Sequence, residues 1–171
     1  MSDEHAEDID AEATGAPAFA AGGTADAIRE HWDDLLDDMA ATAAEFREAG
    51  WDVLELHPGD VTVVTERQRG FDVLLPDDEF ERLHKWVEAD EFPDHDVYRA
   101  ESGIAFLLVV LKDSDAERAV CCPLYYGDDG AETLRTLAAE DGELWTHLRR
   151  LSNEYVHVRH EYPAPFFGAA E

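Results

Sequence analysis

Apolar residues recur between positions 24 and 49 at Ile28, Trp32, Leu35, Met39, Ala43 and Phe46. This alternating three-and-four spacing puts them on one stripe of an α-helix. Thr24 has the side chain of an N-cap, Asp26 falls in the first turn, and Gly50 suits a left-handed C-terminal cap. The period then changes. Residues 51–56 and 61–65 read as strands around the turn Pro58-Gly59-Asp60, and Phe71, Val73 and Leu75 alternate as a third strand after a turn at 67–70. Their short connections predict an antiparallel meander. Pro76 ends it, and a second helix over 78–89 carries Phe80, Leu83, Trp86 and Val87 on one side.

After a loop at 92–95, a further strand begins at 97–100. The run IAFLLVVL (104–111) is apolar on both faces, as expected of a strand at the centre of a sheet. Residues 112–117 make a polar connector of hairpin length, and 119–126 return antiparallel beside the run. Pro123 has no N–H to give to a ladder, which predicts a bulge or an edge position there. A third helix over 131–139 follows Gly130, Asp141-Gly142 is a turn, and a last hairpin joins 145–151 to 155–162 around Ser152-Asn153. Runs of sequential strands separated by helices define an α+β fold with a mainly antiparallel sheet, a long N-terminal helix and two shorter helices. This single domain is expected over 24–167, after a disordered acidic tail at 1–23 that lacks both periodicities and before a flexible end at 168–171.

Charge changes the picture of the solvent. The chain has 41 acidic against 13 basic residues, a formal net charge of −28. In dilute buffer that surplus repels itself; in molar salt the Debye length is about 3 Å and the repulsion is largely screened. The carboxylates run from Asp3 to Glu171 and do not gather in one stretch. The cytoplasm of a halophilic archaeon is the expected setting. Acidity is then no sign of a basic partner, and duplex nucleic acid, which needs clustered Lys and Arg, is not expected as one. The start of the chain has no basic segment followed by an apolar one, and the longest apolar run, 104–111, is far short of the roughly 20 residues that span a bilayer. Neither export nor a membrane is expected. Cys121 and Cys122 are adjacent, so in a strand they face opposite ways and do not pair with each other.

The segments HPGDVTVVTE (57–66), GFDVLLPDDEFE (70–81) and EYPAPFF (161–167) resemble a family of uncharacterised acidic proteins from haloarchaea, over about residues 25–167. The resemblance implies provenance and one compact domain, and carries no activity.

Recognisable chemistry is sparse. No phosphate-binding glycine loop, GxSxG elbow, HExxH or pair of CxxC knuckles occurs, so no cofactor and no metal is expected. The basic residues concentrate in the last hairpin: His147, Arg149, Arg150, His157, Arg159 and His160, against Glu154. They form a candidate anion site for phosphate, carboxylate or an acidic segment. The plainer alternative is that they pair with the chain's own carboxylates. His157 and His160 with His147 have the side chains of metal ligands, but a separation of three on a strand points His157 and His160 to opposite faces. Cys121 near His57 or His147 could be a nucleophile, although cysteine is more often a small buried apolar residue. Phe166 and Phe167, in PAPFF, are a candidate partner-docking segment or a lid on the domain's own core. The expected function is a non-catalytic binding or adaptor protein acting through protein–protein contacts, either with an unknown partner or by self-association over surplus apolar surface of the first helix. The alternative is a small-molecule or anion-binding protein, or an enzyme, using the basic hairpin.

Overall fold

In the computed structural model, residues 25–168 are described, apart from 102 and 129. Thr24, the tail at 1–23 and residues 169–171 lie outside the described residues. Helix α1 (Ala25–Glu48) is followed by β1 (Asp52–Glu55), β2 (Asp60–Val64) and β3 (Gly70–Leu74). Helix α2 (Asp77–Ala89) precedes β4 (Asp94–Glu101), β5 (Ala105–Asp113) and β6 (Arg118–Tyr126). Helix α3 (Ala131–Asp141), β7 (Leu144–Arg149), β8 (Tyr155–His160) and a 3-10 turn (Ala164–Phe167) complete the chain. The fold is α+β and mainly antiparallel, in the element order the periodicity predicts.

The strands form two four-stranded sheets, with orders β1-β6-β5-β4 and β2-β3-β7-β8. The predicted meander is therefore corrected: β2 and β3 pair antiparallel, but β1 leaves them and runs parallel to β6 in the other sheet. The end of α1 decides this. The Gly50 N–H donates to the Arg47 carbonyl and the Trp51 N–H to the Phe46 carbonyl, both closed by Gly50 at φ 94°. That reversal, with Phe46 and Trp51 in ring contact at 5.0 Å, delivers the Asp52 N–H to the Glu117 carbonyl at the start of β6.

Layering follows from strand alternation. On one face of the first sheet, Phe106 meets His31 and Tyr125 meets Trp32, so α1 covers that face. On its other face Tyr126 stacks on Phe71 of the second sheet. Residues 105–111 of β5 are all buried, as expected for the central run. The gap between the sheets holds an apolar cavity of only about 10 Å³ lined by Val109, Cys122, Leu124, Thr146, Leu148 and His160, among others. Trp32, Leu35, Met39 and Ala43 of α1 are buried, and none of the exposed large apolar residues (Tyr98, Leu151, Tyr155, Tyr162) lies on that helix. The surplus apolar surface expected on α1 is thus absent among the described residues, because β1, β5 and β6 together run under its length.

Pro123 sits in an interior strand opposite Leu108, in unbroken register and with no bulge. The Leu56 N–H donates to the Cys121 carbonyl, so alternate residues of β6 turn their backbone groups toward β1. Pro123 is the next of these, and β1 has ended opposite Cys121. The missing N–H falls where the short neighbour has run out, so the edge is local.

Candidate functional site

The last hairpin splits the predicted basic cluster in two. Outward from the second sheet point Trp145, His147 and Arg149 of β7 and, directly opposite, Arg159, His157 and Tyr155 of β8. Inward point Thr146, Leu148, Val156, Val158 and His160. His147, Arg149, His157 and Arg159 therefore share a face, while His160 is taken into the interior. Arg150 lies in the turn and reaches toward α2, with Glu81 at 2.7 Å and Glu154 at 2.8 Å.

Each arginine of the set meets carboxylates of its own chain. Arg149 Nε lies 2.9 Å from Asp72, and Arg159 Nε 2.6 Å from Glu143. The Arg159 hydrogen bond holds the Glu143 carboxyl below its usual range, with the Trp145 indole N–H adding to it. An anion at this face would have to exchange with those partners.

Two histidine pairs are built into β8. In the outer one, His147 Nδ1 and His157 Nδ1 are 2.7 Å apart, and His147 Nε2 is 2.7 Å from the Gln68 carbonyl. A carbonyl only accepts, so His147 carries its proton on Nε2 and, in the neutral pair, His157 Nδ1 donates to the bare His147 Nδ1. Burial, then the neighbouring His147, holds His157 below the ordinary histidine range.

The inner pair joins the two sheets. His95 Nε2 is 2.8 Å from the Phe92 carbonyl, His95 Nδ1 is 2.8 Å from His160 Nδ1, and His160 Nε2 is 2.8 Å from Thr146 Oγ1. The same reasoning orients the chain: Thr146 O–H donates to His160 Nε2, His160 Nδ1–H to His95 Nδ1, and His95 Nε2–H to Phe92. His160 is 2% exposed, and burial pushes its pKa down to about 3. Burial likewise lowers His95. Sequence reasoning did not find His95, because its partner is 65 positions away on another sheet.

This pair lines a cleft of about 650 Å³ between the β4 edge, β8 and the 3-10 turn. Phe92, Pro93, Val97, Tyr162, Pro165 and Phe166 supply apolar wall, and the cations Lys112 and Arg159 stand beside the carboxylates of Asp94, Asp96 and Glu161. Lys112 Nζ is 2.7 Å from Asp96, which raises its pKa. Three of the predicted residues, Arg159, His160 and Phe166, thus meet in one cleft. Phe166 is 1% exposed, against Phe71 and His160, and its carbonyl accepts the Tyr126 hydroxyl at 2.9 Å. Phe167 is half-buried on Tyr126. Both rings lie on the domain's own core.

Elsewhere, the Glu79 carboxylate takes both the His57 backbone N–H and the His57 Nδ1 at 2.7 Å, and the side-chain bond raises the histidine. Cys121 and Cys122 are free and buried, and burial pushes the Cys121 thiol up to about 12 and Cys122 up as well. Such thiols stay protonated, the reverse of an activated nucleophile. No described helix is long and apolar enough to cross a membrane. No curated protein and no solved structure matches the chain. The model of the family of unknown function DUF7529 matches residues 20–168, and the chain belongs to that family.

Proposed function

We propose that the protein is a non-catalytic binding protein that holds a small amphipathic molecule in the cleft between β4 and β8, in the molar-salt cytoplasm of a halophilic archaeon. The observation that carries this reading is the cleft itself, whose volume of about 650 Å³ lies within the range of small-molecule sites. Binding is favoured over catalysis because both histidines in it already use both ring nitrogens, leaving none to take a substrate proton. An apolar body would pack on Phe92, Val97 and Pro165. An acidic group would exchange with the carboxylates on Lys112 and Arg159.

The test is an NMR titration in molar KCl with small aromatic fragments in matched carboxylate and amine forms. Carboxylate fragments are expected to shift the amides of 92–97 and 159–166, and Pro93→Trp, at an exposed position lining the cleft, to weaken them at least tenfold. Shifts that ignore this substitution, or that favour the amines, would rule the reading out.

A second reading, contact with another protein, draws on the outer face of the second sheet, where Tyr155, His157 and Arg159 are exposed. Arg149→Gln on that face separates the two, since Arg149 does not line the cleft.

A further inference from the structure

We propose that His147 and His157 form a chelating site for a divalent transition-metal ion of the zinc class on the outer face of the second sheet. The two residues stand directly opposite in the β7–β8 register and bring their Nδ1 atoms to 2.7 Å. Metal–nitrogen bonds of about 2.0–2.1 Å put two tetrahedral ligand nitrogens roughly 3.3 Å apart. The rings therefore need to part by only about 0.6 Å, and His157 is exposed and able to move.

The tautomer of His147 already matches. Its Nε2–H is held by the Gln68 carbonyl at 2.7 Å, which leaves Nδ1 bare and aimed at its neighbour. A second nitrogen anchored on a backbone carbonyl is the arrangement that fixes metal-binding histidines. The β2–β3 turn, in which Gln68 has a φ of 52°, brings that carbonyl to Nε2. His157 makes no described hydrogen bond through Nε2, so its Nδ1 proton transfers through water to Nε2 when the metal takes Nδ1, and the neutral pair releases no net proton. The inner pair, His95 and His160, does not offer the same opening. His160 Nε2 is bound to Thr146 and His95 Nε2 to Phe92, so neither ring has a spare nitrogen to receive the displaced proton, as His157 has.

Among the described residues no group of three or more His, Cys, Asp or Glu side chains could hold a metal. The site thus supplies two nitrogens and leaves the remaining positions to water, chloride or a ligand. Imidazole nitrogens select Zn2+, Ni2+ or Cu2+ over Mg2+ and Ca2+, which take oxygen. The abundant carboxylates consequently do not compete on equal terms.

The experiment is a titration of the full chain with ZnCl2 in molar NaCl near neutral pH, followed by imidazole 15N resonances. One equivalent should move the Nδ1 signals of His147 and His157 together and leave both rings protonated on Nε2. His157→Gln, at an exposed position, should raise the half-saturating Zn2+ concentration at least tenfold with an unchanged circular dichroism spectrum. His84→Gln, exposed on α2, should leave it where it was. Equal titration of wild type and His157→Gln, or shifts spread alike over His31, His84 and His157, would overturn the assignment in favour of diffuse binding to carboxylates.

Discussion

At the scale of residues, His160 carries the clearest chemical consequence. It is fully enclosed, neutral and held at both nitrogens, with its pKa pushed down to about 3. An unfolded histidine titrates near about 6.5, so between that value and about 3 the unfolded chain binds the proton that the folded one refuses. Stability therefore falls as pH drops through this window. His57 has the opposite sign: its contact with Glu79 raises it, so that contribution is present below about 6.5 and lost as pH rises through the folded value. Melting curves at pH 7 and pH 4.5 in molar salt should show wild type losing more stability on acidification than His160→Phe, by on the order of 2 kcal/mol. The variant itself should be less stable at pH 7, because Thr146 loses its acceptor. Parallel pH profiles would mean that His160 takes up its proton without cost. The sequence showed that β8 was rich in imidazole and that His157 and His160 faced apart. It could not show that each would meet another histidine, because such partners are chosen by which strands become neighbours.

At the scale of elements, the strongest local signals lie at helix ends and turns. The stripe from Ile28 to Phe46 and the glycine after it specify α1 almost to the residue, since capping needs only neighbours in the chain. Gly50 is at φ 94° with open space where a Cβ would sit, so alanine there meets backbone strain without any clash. Gly50→Ala should cost about 1 kcal/mol and lower the melting temperature. A loss under a few tenths would mean that the Phe46–Trp51 contact holds the reversal unaided. Gly70 differs: a Cβ there would fall 1.7 Å from the Trp145 carbonyl oxygen, so β3 and β7 approach too closely for any side chain. That requirement arises between strands 75 positions apart, and nothing near residue 70 announces it. Pro123 taught the same lesson. Its missing donor predicted a bulge or an edge strand, and the structure has neither: the short length of β1 leaves that position without a neighbour inside a sheet.

At the scale of the whole molecule, charge and layering meet. The polar side of α1 exposes Glu30, Asp33, Asp34, Asp37 and Asp38, and other exposed acids lie on α2, β4 and the connecting loops. Against this surface, self-repulsion in dilute buffer opposes three packed layers. Under the molar-salt reading, the melting temperature should climb steadily between about 0.1 M and about 3 M NaCl as the Debye length shrinks. A melting temperature indifferent to salt would remove that reading. The cleft also belongs to this scale. Its walls come from β4 of one sheet and β8 of the other, with the C-terminal turn closing over them.

The sequence by itself determined which segments are helices and strands, where α1 stops, that β5 is covered on both faces, and that the terminal hairpin gathers the basic residues. Periodicity, capping and side-chain alternation act over a few positions, and a single chain displays them directly. Only the tertiary structure decided that the strands divide into two sheets, that β1 runs parallel to β6 and β3 parallel to β7, and that His95 meets His160 across the gap. Strand pairing is settled by burial and backbone hydrogen bonding summed over the whole domain, and many pairings share one hydrophobic pattern until the layers close.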